Sequence, residues 1–206
     1  MIGYYNYTVI LTYIGTLFGF VGITYTWGGN LKMALICLMI SGFCDMFDGK
    51  IASTMERTKQ EKRFGVQIDS LSDLICFGVL PALIVFQCSD GGFLHILISA
   101  FYVLCALIRL AWFNVDEEQR QDFEEKSRET YLGLPVTTVA LILPSFIGAA
   151  YMVRLSVNLF CSWLLLGIAV AFISPFNLRK PGLAGKIIML LYGVFGLVVV
   201  LMGVKA

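Results

Sequence analysis

Charged side chains are scarce in this sequence, and histidine is almost missing. Lys, Arg, Asp and Glu together make up 14% of the chain, against about 25% in an ordinary soluble domain. There is a single histidine, His95, and none of the six cysteines forms a C-x-x-C pair. These shortages exclude a soluble domain with a charged surface, and they argue against a zinc site or a disulfide framework. We interpret the cysteines as small buried hydrophobes.

Apolar residues take the place of the missing charge. They make up 58% of the 206 residues, and the mean hydropathy of +0.82 indicates a protein that crosses a membrane several times. The net charge is +1 and no basic tract occurs, so nothing indicates a nucleic-acid partner. The first residues lack the basic segment and cleavage site of a signal peptide, so we expect the first apolar run to remain as a helix.

Seven apolar runs approach the length of about 20 residues that a membrane-spanning helix needs. They lie at about 7–26, 31–53, 66–88, 93–114, 133–153, 157–175 and 184–204. We therefore predict an all-α fold, a polytopic helical bundle formed as a single membrane domain over residues 1–206. Its six-helix core would cover about 7–175, and a seventh transmembrane helix would be added at about 184–204.

Lysine and arginine are concentrated in every second loop. The loops 54–64, 115–132 and 176–186 carry most of them. The loops on the opposite side carry only Lys32, Arg154 and Lys205. Because basic loops stay in the cytoplasm, we expect the N-terminus on the cytoplasmic side. We expect the protein in the cell membrane of a prokaryote. The mixed-charge stretch 115–130 is expected to be a solvated cytoplasmic helix or loop.

Two pairs of aspartates interrupt neighbouring apolar runs. Asp45 and Asp48 are three residues apart and Asp69 and Asp73 four apart, spacings that share one helix face. Since consecutive spans are antiparallel, all four carboxylates should meet at the cytoplasmic end. A charge inside a membrane costs at least about 2.5–3.5 kcal/mol, so such a cluster needs neutralising cations. Oxygen ligands favour magnesium, manganese or calcium.

Small residues surround the predicted carboxylate cluster and leave room for a ligand. They are Gly49, Ala52, Ser53 and Gly65. Two metal ions beside such a space would suit a diphosphate, because they can clamp the attacking and leaving oxygens of a displacement at phosphorus. Carboxylates within a membrane also mark ion-coupled transporters, which remain the alternative class.

These residues resemble the signature of the CDP-alcohol phosphatidyltransferase family, D-x2-D-G-x2-A-R, a spacer, then G-x3-D-x3-D. The matching positions are Asp45, Asp48, Gly49, Ala52, Gly65, Asp69 and Asp73, seven of the eight fixed residues. Ser53 replaces the arginine of the signature, and the spacer of eleven residues is longer than usual. One of the basic residues in this spacer could supply the charge that is lost at Ser53.

The resemblance implies transfer of a phosphatidyl group from a CDP-linked lipid to an alcohol, with release of CMP. It implies that Asp45, Asp48 and Asp69 hold divalent metals, and that Asp73 touches a metal and acts as the general base. The implied nucleotide-binding residues are Thr12, Asp48, Gly49, Ala52, Ser53, Gly65 and Asp69. The resemblance also implies a homodimer.

The stretches RLAWFNV at 109–115 and YLGLP at 131–135 resemble the phosphatidylserine synthase branch of this family. The implied donor is CDP-diacylglycerol and the implied acceptor is L-serine. Arg109 could bind the serine carboxylate with its planar guanidinium, near Asn114, or it could extend to the membrane interface. Glycerol 3-phosphate or inositol phosphate as acceptor, and an ether lipid as donor, remain open.

Overall fold

The computed structural model describes residues 3–123, 130–179 and 182–204, and nearly all of them are helical. The helices are α1 (Ile10–Trp27), α2 (Leu31–Ala52), α3 (Lys59–Asp73), α4 (Leu80–Cys88), α5 (Phe93–Phe123), α6 (Val139–Met152), α7 (Val157–Ile173) and α8 (Leu183–Gly203). Short 3₁₀ turns precede α1 at Tyr7–Val9 and α6 at Val136–Thr138. The prediction of an all-α membrane bundle is confirmed.

Among the described residues, four helical segments are long and apolar enough to cross a membrane by length and composition. They are Tyr7–Trp27, Lys59–Gln87, Phe93–Gln119 and Ala184–Gly203. The apolar helices Val136–Met152 and Val157–Ile173 are shorter; 17 residues extend about 26 Å, slightly less than the bilayer core. α2 is long enough, but three charged residues in its last two turns make it more polar. The chain is a multi-pass membrane protein.

Two helix boundaries differ from the sequence-based prediction. α3 begins at Lys59, so the second half of the predicted loop 54–64 is helical. The Thr58 hydroxyl accepts from the Glu61 N–H, and the Glu61 carboxylate accepts from the Thr58 N–H, a capping box that starts the helix. α5 continues to Phe123, beyond the predicted end at 114. The rest of the charged stretch, residues 124–129, lies outside the described part of the chain.

A π-helical turn at Leu74–Val79 joins α3 to α4 directly after Asp73. Pro81 follows it and has no N–H to donate to the carbonyl of Phe77, four residues earlier. The buried hydroxyl of Tyr102 in α5 donates to that carbonyl oxygen at 2.6 Å. Tyr102 therefore satisfies the group that Pro81 leaves unbonded and fixes α5 beside the segment that carries Asp73.

The glycines of α1 let neighbouring helices approach closely within the chain. A Cβ on Gly15 would lie 3.4 Å from the Cβ of Cys44, and one on Gly19 would lie 2.5 Å from the Sγ of Cys76. The Gly15-x3-Gly19 spacing is thus used for packing α1 against α2 and the π-helical turn. All six cysteines are free thiols, and all except the half-buried Cys88 are buried, as the sequence predicts.

Two three-residue strands, β1 (Thr130–Leu132) and β2 (Asn177–Arg179), pair antiparallel outside the helices. Gly133 follows β1 with a φ of +75°, and its N–H donates to the carbonyl oxygen of Phe176 at 2.7 Å. A Cβ at Gly133 would lie 3.0 Å from the carbonyl oxygen of Phe172, so only glycine fits without displacement. This junction fixes the start of α6 against the end of α7, close to Arg109.

Candidate metal and substrate site

The structure brings together the four aspartates that the sequence pairs on α2 and α3. Carboxylate oxygens of Asp45, Asp48 and Asp69 lie within 4.8 Å of one another. Asp73 lies with Asp45 and Asp48 around one small cavity. The spacings of three and four residues place both pairs on facing helix surfaces, as the sequence analysis expects.

One carboxylate oxygen of the cluster lacks a partner that a bound cation would supply. The Oδ1 atom of Asp69 is buried and has no hydrogen-bond partner among the described residues. Within the same part of the chain, no lysine or arginine lies at ion-pair distance from any of the four carboxylates. Clustered buried carboxylates without a cation are strongly disfavoured. The oxygen-only donor set fits a hard divalent ion, so Asp45, Asp48 and Asp69 can hold a metal.

A small cavity adjoins the aspartates at the contact between α1, α2 and α3. Thr12, Asp45, Asp48 and Asp73 lie along its wall, and its volume is about 10 Å³. That volume is close to what a single water molecule needs. The Thr12 hydroxyl donates to Oδ2 of Asp48 at 3.2 Å, so the predicted contact of Thr12 with this site is made through Asp48.

Further hydroxyl groups, which the sequence analysis did not single out, hold the helices around the cavity. The Thr16 and Ser72 hydroxyls lie 2.6 Å apart and join α1 to α3 beside Asp73. The Ser41 hydroxyl of α2 donates to the Gly15 carbonyl oxygen at 2.9 Å. The four-residue spacing of Thr12 and Thr16 on α1 is the signal that could have indicated them.

Of the predicted nucleotide-binding residues, Gly49, Ala52 and Ser53 lie at the end of α2, and Gly65 lies in α3 one turn before Asp69. A Cβ at Gly49 would meet no atom within 4 Å, so there is open space next to Asp48. A Cβ at Gly65 would lie 3.1 Å from Nη1 of Arg57. Ala52 is half-buried and Ser53 is exposed. The Ser53 hydroxyl donates to the carbonyl oxygen of Lys50 at 2.7 Å and is thus bound to its own helix.

Arg109 is buried within the bundle. Its side chain is 7% exposed, and its Nε donates to the carbonyl oxygen of Leu134 at 3.3 Å. Its guanidinium carbon lies 6.0 Å from the centre of the Phe113 ring. The guanidinium is therefore positioned by α5 and by the segment that precedes α6.

Asn114 contacts α3 with both ends of its amide. Its Oδ1 accepts from the Ser70 hydroxyl at 2.6 Å, and its Nδ2 donates to Oε1 of Gln67 at 3.1 Å. Gln67 in turn donates to Glu118 of α5 at 3.3 Å. Asn114 thus contacts α3 within two residues of Asp69, at Ser70 and Gln67. These contacts already use its oxygen and one amide hydrogen.

Comparison with known proteins identifies the family. Residues 5–175 match the sequence profile described as CDP-alcohol phosphatidyltransferase. The chain is 40% identical over 119 residues to "CDP-diacylglycerol--serine O-phosphatidyltransferase" of Saccharomyces cerevisiae, which covers 56% of this chain and 41% of that protein. It is 29% identical over 166 residues to "Archaetidylserine synthase" of Methanothermobacter thermautotrophicus, which covers 80% of this chain and 66% of that protein.

A third relative, "CDP-diacylglycerol--serine O-phosphatidyltransferase" of Bacillus subtilis, is 27% identical over 116 residues, 55% of this chain and 59% of that protein. The chain thus spans between 41% and 66% of the length of these relatives. The profile match includes the four aspartates and most of the chain. This protein belongs to the CDP-alcohol phosphatidyltransferase family.

Proposed function

We propose that this protein transfers the phosphatidyl group of CDP-diacylglycerol to the hydroxyl group of L-serine and releases CMP. The observation that carries the proposal is the cluster of four aspartates on α2 and α3, with its orphaned carboxylate oxygen. The choice of serine is supported by relatives whose names specify serine as the acceptor. Family membership favours this transferase over an ion-coupled transporter.

Asp45, Asp48 and Asp69 would hold the metal, and Asp73 would border it. We propose two magnesium or manganese ions, with calcium as an alternative, because four carboxylates and a diphosphate supply enough oxygen ligands. When bound, these ions would stabilise the negative charge that develops on the phosphate oxygens during transfer.

Asp73 is proposed as the general base. The serine hydroxyl oxygen attacks the phosphorus that carries the lipid, and the bond from that phosphorus to the CMP oxygen breaks. The hydroxyl proton goes to the Asp73 carboxylate, since a hydroxyl is a weak nucleophile until a base accepts its proton. Asp73 is buried and shares the cavity wall with Asp45 and Asp48, which fits a residue placed at the reacting atoms.

The donor nucleotide would lie along the ends of α2 and α3. The open space at Gly49 gives its backbone room to approach a nucleotide. We propose that Ala52, Ser53 and Gly65 border the same space, and that Thr12 contributes by orienting Asp48. Asp48 and Asp69 would then contact the nucleotide through its phosphates and the metal.

Arg109 is proposed to bind the serine carboxylate, with Asn114 nearby. A buried guanidinium is suited to a carboxylate, because two parallel N–H groups can bind both oxygens. The contacts of Asn114 with α3 support a role in fixing α5 beside Asp69 as well as any contact with serine. A donor with ether-linked chains is the second candidate, because the relative named archaetidylserine synthase matches 80% of this chain.

The orientation of the site is also proposed. We infer that the aspartates face the cytoplasm of a prokaryotic cell, since basic residues of the α2–α3 segment lie at the same end of the bundle. Cysteine introduced at Thr58 should resist an impermeant thiol reagent in intact cells, whereas cysteine at Asp90 should react above the wild-type background. Labelling at Thr58 alone would show that the topology is the reverse of the one proposed.

We also propose a homodimer, which the family resemblance implies. Sedimentation of the purified protein in detergent would test this oligomeric state.

A transfer assay tests the proposed function directly. Purified protein in mixed micelles would receive CDP-diacylglycerol, manganese and one labelled acceptor at a time: serine, glycerol 3-phosphate or inositol phosphate. We expect label in lipid and stoichiometric CMP with serine only. A CDP-linked ether lipid in parallel would identify the donor. Transfer to a phosphate-bearing acceptor in place of serine would contradict the proposed substrate, and CMP release with no acceptor would contradict transfer.

A further inference from the structure

The side chain of Arg57 lies against α3 just outside the carboxylate cluster. Arg57 belongs to the short connection between α2 and α3, and its side chain is half-buried. Its Nη1 would be only 3.1 Å from a Cβ on Gly65. The guanidinium therefore lies directly against α3 at Gly65, closer than most side-chain contacts to a Cβ.

The guanidinium has unused hydrogen-bonding capacity. Among the residues that the structure describes, the Arg57 side chain forms no ion pair and no hydrogen bond, and its charge interacts only at longer range with the Glu61 carboxylate. A guanidinium carries five N–H donors in a fixed planar arrangement. A half-buried guanidinium whose N–H groups bond to no protein atom is suited to an anion that comes from outside the chain.

The position of Arg57 relates it to the aspartates. Gly65, Asp69 and Asp73 follow one another at intervals of four residues and share one face of α3. Four residues correspond to about 6 Å along a helix. The guanidinium at Gly65 therefore lies about one turn beyond Asp69, on the same face. An anion that is held by metal at the aspartates would reach the guanidinium if it is as long as a diphosphate.

The segment that carries Arg57 is held in place from two directions. Thr58 and Glu61 form the capping box that starts α3 immediately after Arg57. The N-terminal segment contacts the same region: Tyr7 bonds to Thr54 at 3.0 Å, and Asn6 donates to Glu61 at 3.3 Å. Because the backbone is fixed on both sides of Arg57, little ordering is needed when its side chain binds a ligand.

We propose that Arg57 binds a phosphate oxygen of the nucleotide diphosphate in the lipid donor. The inference rests on the proposed function for the donor and is independent of the acceptor. Arg57 would then supply the positive charge of the signature arginine that Ser53 replaces. Ser53 itself is exposed and bonded to its own helix. The positive charge at this end of the site would come from the connection between α2 and α3 and not from α2 itself.

The test is the binding of CDP, a soluble diphosphate probe, to purified protein in detergent with manganese, measured by calorimetry. Arg57→Gln should weaken CDP binding about 10–100-fold, the range for losing a hydrogen bond between charged groups. Arg57→Lys should lose less, because it keeps the charge. The matched control is Lys62→Gln, which removes one exposed positive charge from the same segment and should bind CDP like the wild type.

A second variant tests the location of the charge. Adding Ser53→Arg to Arg57→Gln should recover part of the CDP affinity, because it returns a guanidinium to the same end of the site. CDP affinity of Arg57→Gln within twofold of the wild type, or an equal loss in Lys62→Gln, would overturn the inference. Failure of the proposed function would look different: CDP binding would depend on Arg57, but no phosphatidyl group would reach serine.

Discussion

Two clusters of polar side chains in the described part of this protein differ in whether their polar atoms are satisfied. One is the aspartate cluster on α2 and α3. The other joins α5 to α7: Nδ1 of His95 lies 2.6 Å from the Ser162 hydroxyl, and its Nε2 lies 3.2 Å from Oδ1 of Asp90. The second cluster contains a serine, a histidine and an aspartate in contact, which are the residue types of a hydrolase triad.

The contacts show why these two clusters should behave differently. Ser162 is 1% exposed, so its hydroxyl is closed to any substrate, and it also bonds to the carbonyl oxygen of Asn158 at 3.3 Å. Every polar group there has a partner inside the chain. The aspartates instead face one another, next to open space at Gly49 and with Oδ1 of Asp69 unpaired. Unsatisfied groups beside free space indicate a ligand site, whereas a closed network indicates structural support.

The largest effect is expected at Asp73. Asp73→Asn keeps the size of the side chain and removes the base, so turnover with serine should fall about 10²–10⁴-fold. CDP binding in the presence of manganese should fall much less. Both quantities can be measured on one preparation, by label transfer and by calorimetry. Normal turnover of Asp73→Asn would show that the proposed proton transfer is wrong.

Asp45→Asn is the matched variant that separates metal binding from base catalysis. It should weaken manganese affinity by at least about 10-fold, because even indirect partners of a metal site contribute this much. Activity should then recover in part at higher manganese, which Asp73→Asn should not do. Titration of turnover against manganese measures the difference. Identical metal dependence of the two variants would show that Asp73 acts as a metal ligand and not as the general base.

The closed cluster should affect stability and leave the chemistry unchanged. His95→Gln breaks the buried contact with Ser162 and should lower the free energy of unfolding by about 1–3 kcal/mol. The reaction rate at a temperature well below unfolding should stay close to that of the wild type. Thermal unfolding in detergent and the transfer assay measure the two effects. Asp90→Asn, at an exposed partner, should destabilise less. Loss of turnover in a stably folded His95→Gln protein would contradict the distinction between the clusters.

The sequence predicts the aspartate cluster because its spacing follows helix geometry. Asp45 with Asp48, and Asp69 with Asp73, converge once two consecutive spans are antiparallel, and no other packing detail is required. The start of α3 was predicted seven residues too late, although the pattern Thr58-x-x-Glu61 of a capping box was present in the sequence.

Other features depend on contacts between distant parts of the chain. The bond from Tyr102 to the carbonyl of Phe77, and the contact between Thr16 and Ser72, join residues on different helices at distances that no local pattern specifies. The position of Arg57 over Gly65 depends on the path of a connection that has no helical periodicity. The pairing of β1 with β2 joins two loops that are far apart in sequence.

The metal dependence of turnover tests the central claim most directly. Purified wild-type protein would be stripped with excess chelator, assayed for transfer of labelled serine into lipid, and then titrated with magnesium, manganese, calcium and zinc. The account predicts no transfer in chelator and recovery with at least one of the hard ions magnesium, manganese and calcium, because the aspartates offer only oxygen ligands. Full transfer in excess chelator would contradict a metal-dependent reaction at Asp45, Asp48 and Asp69.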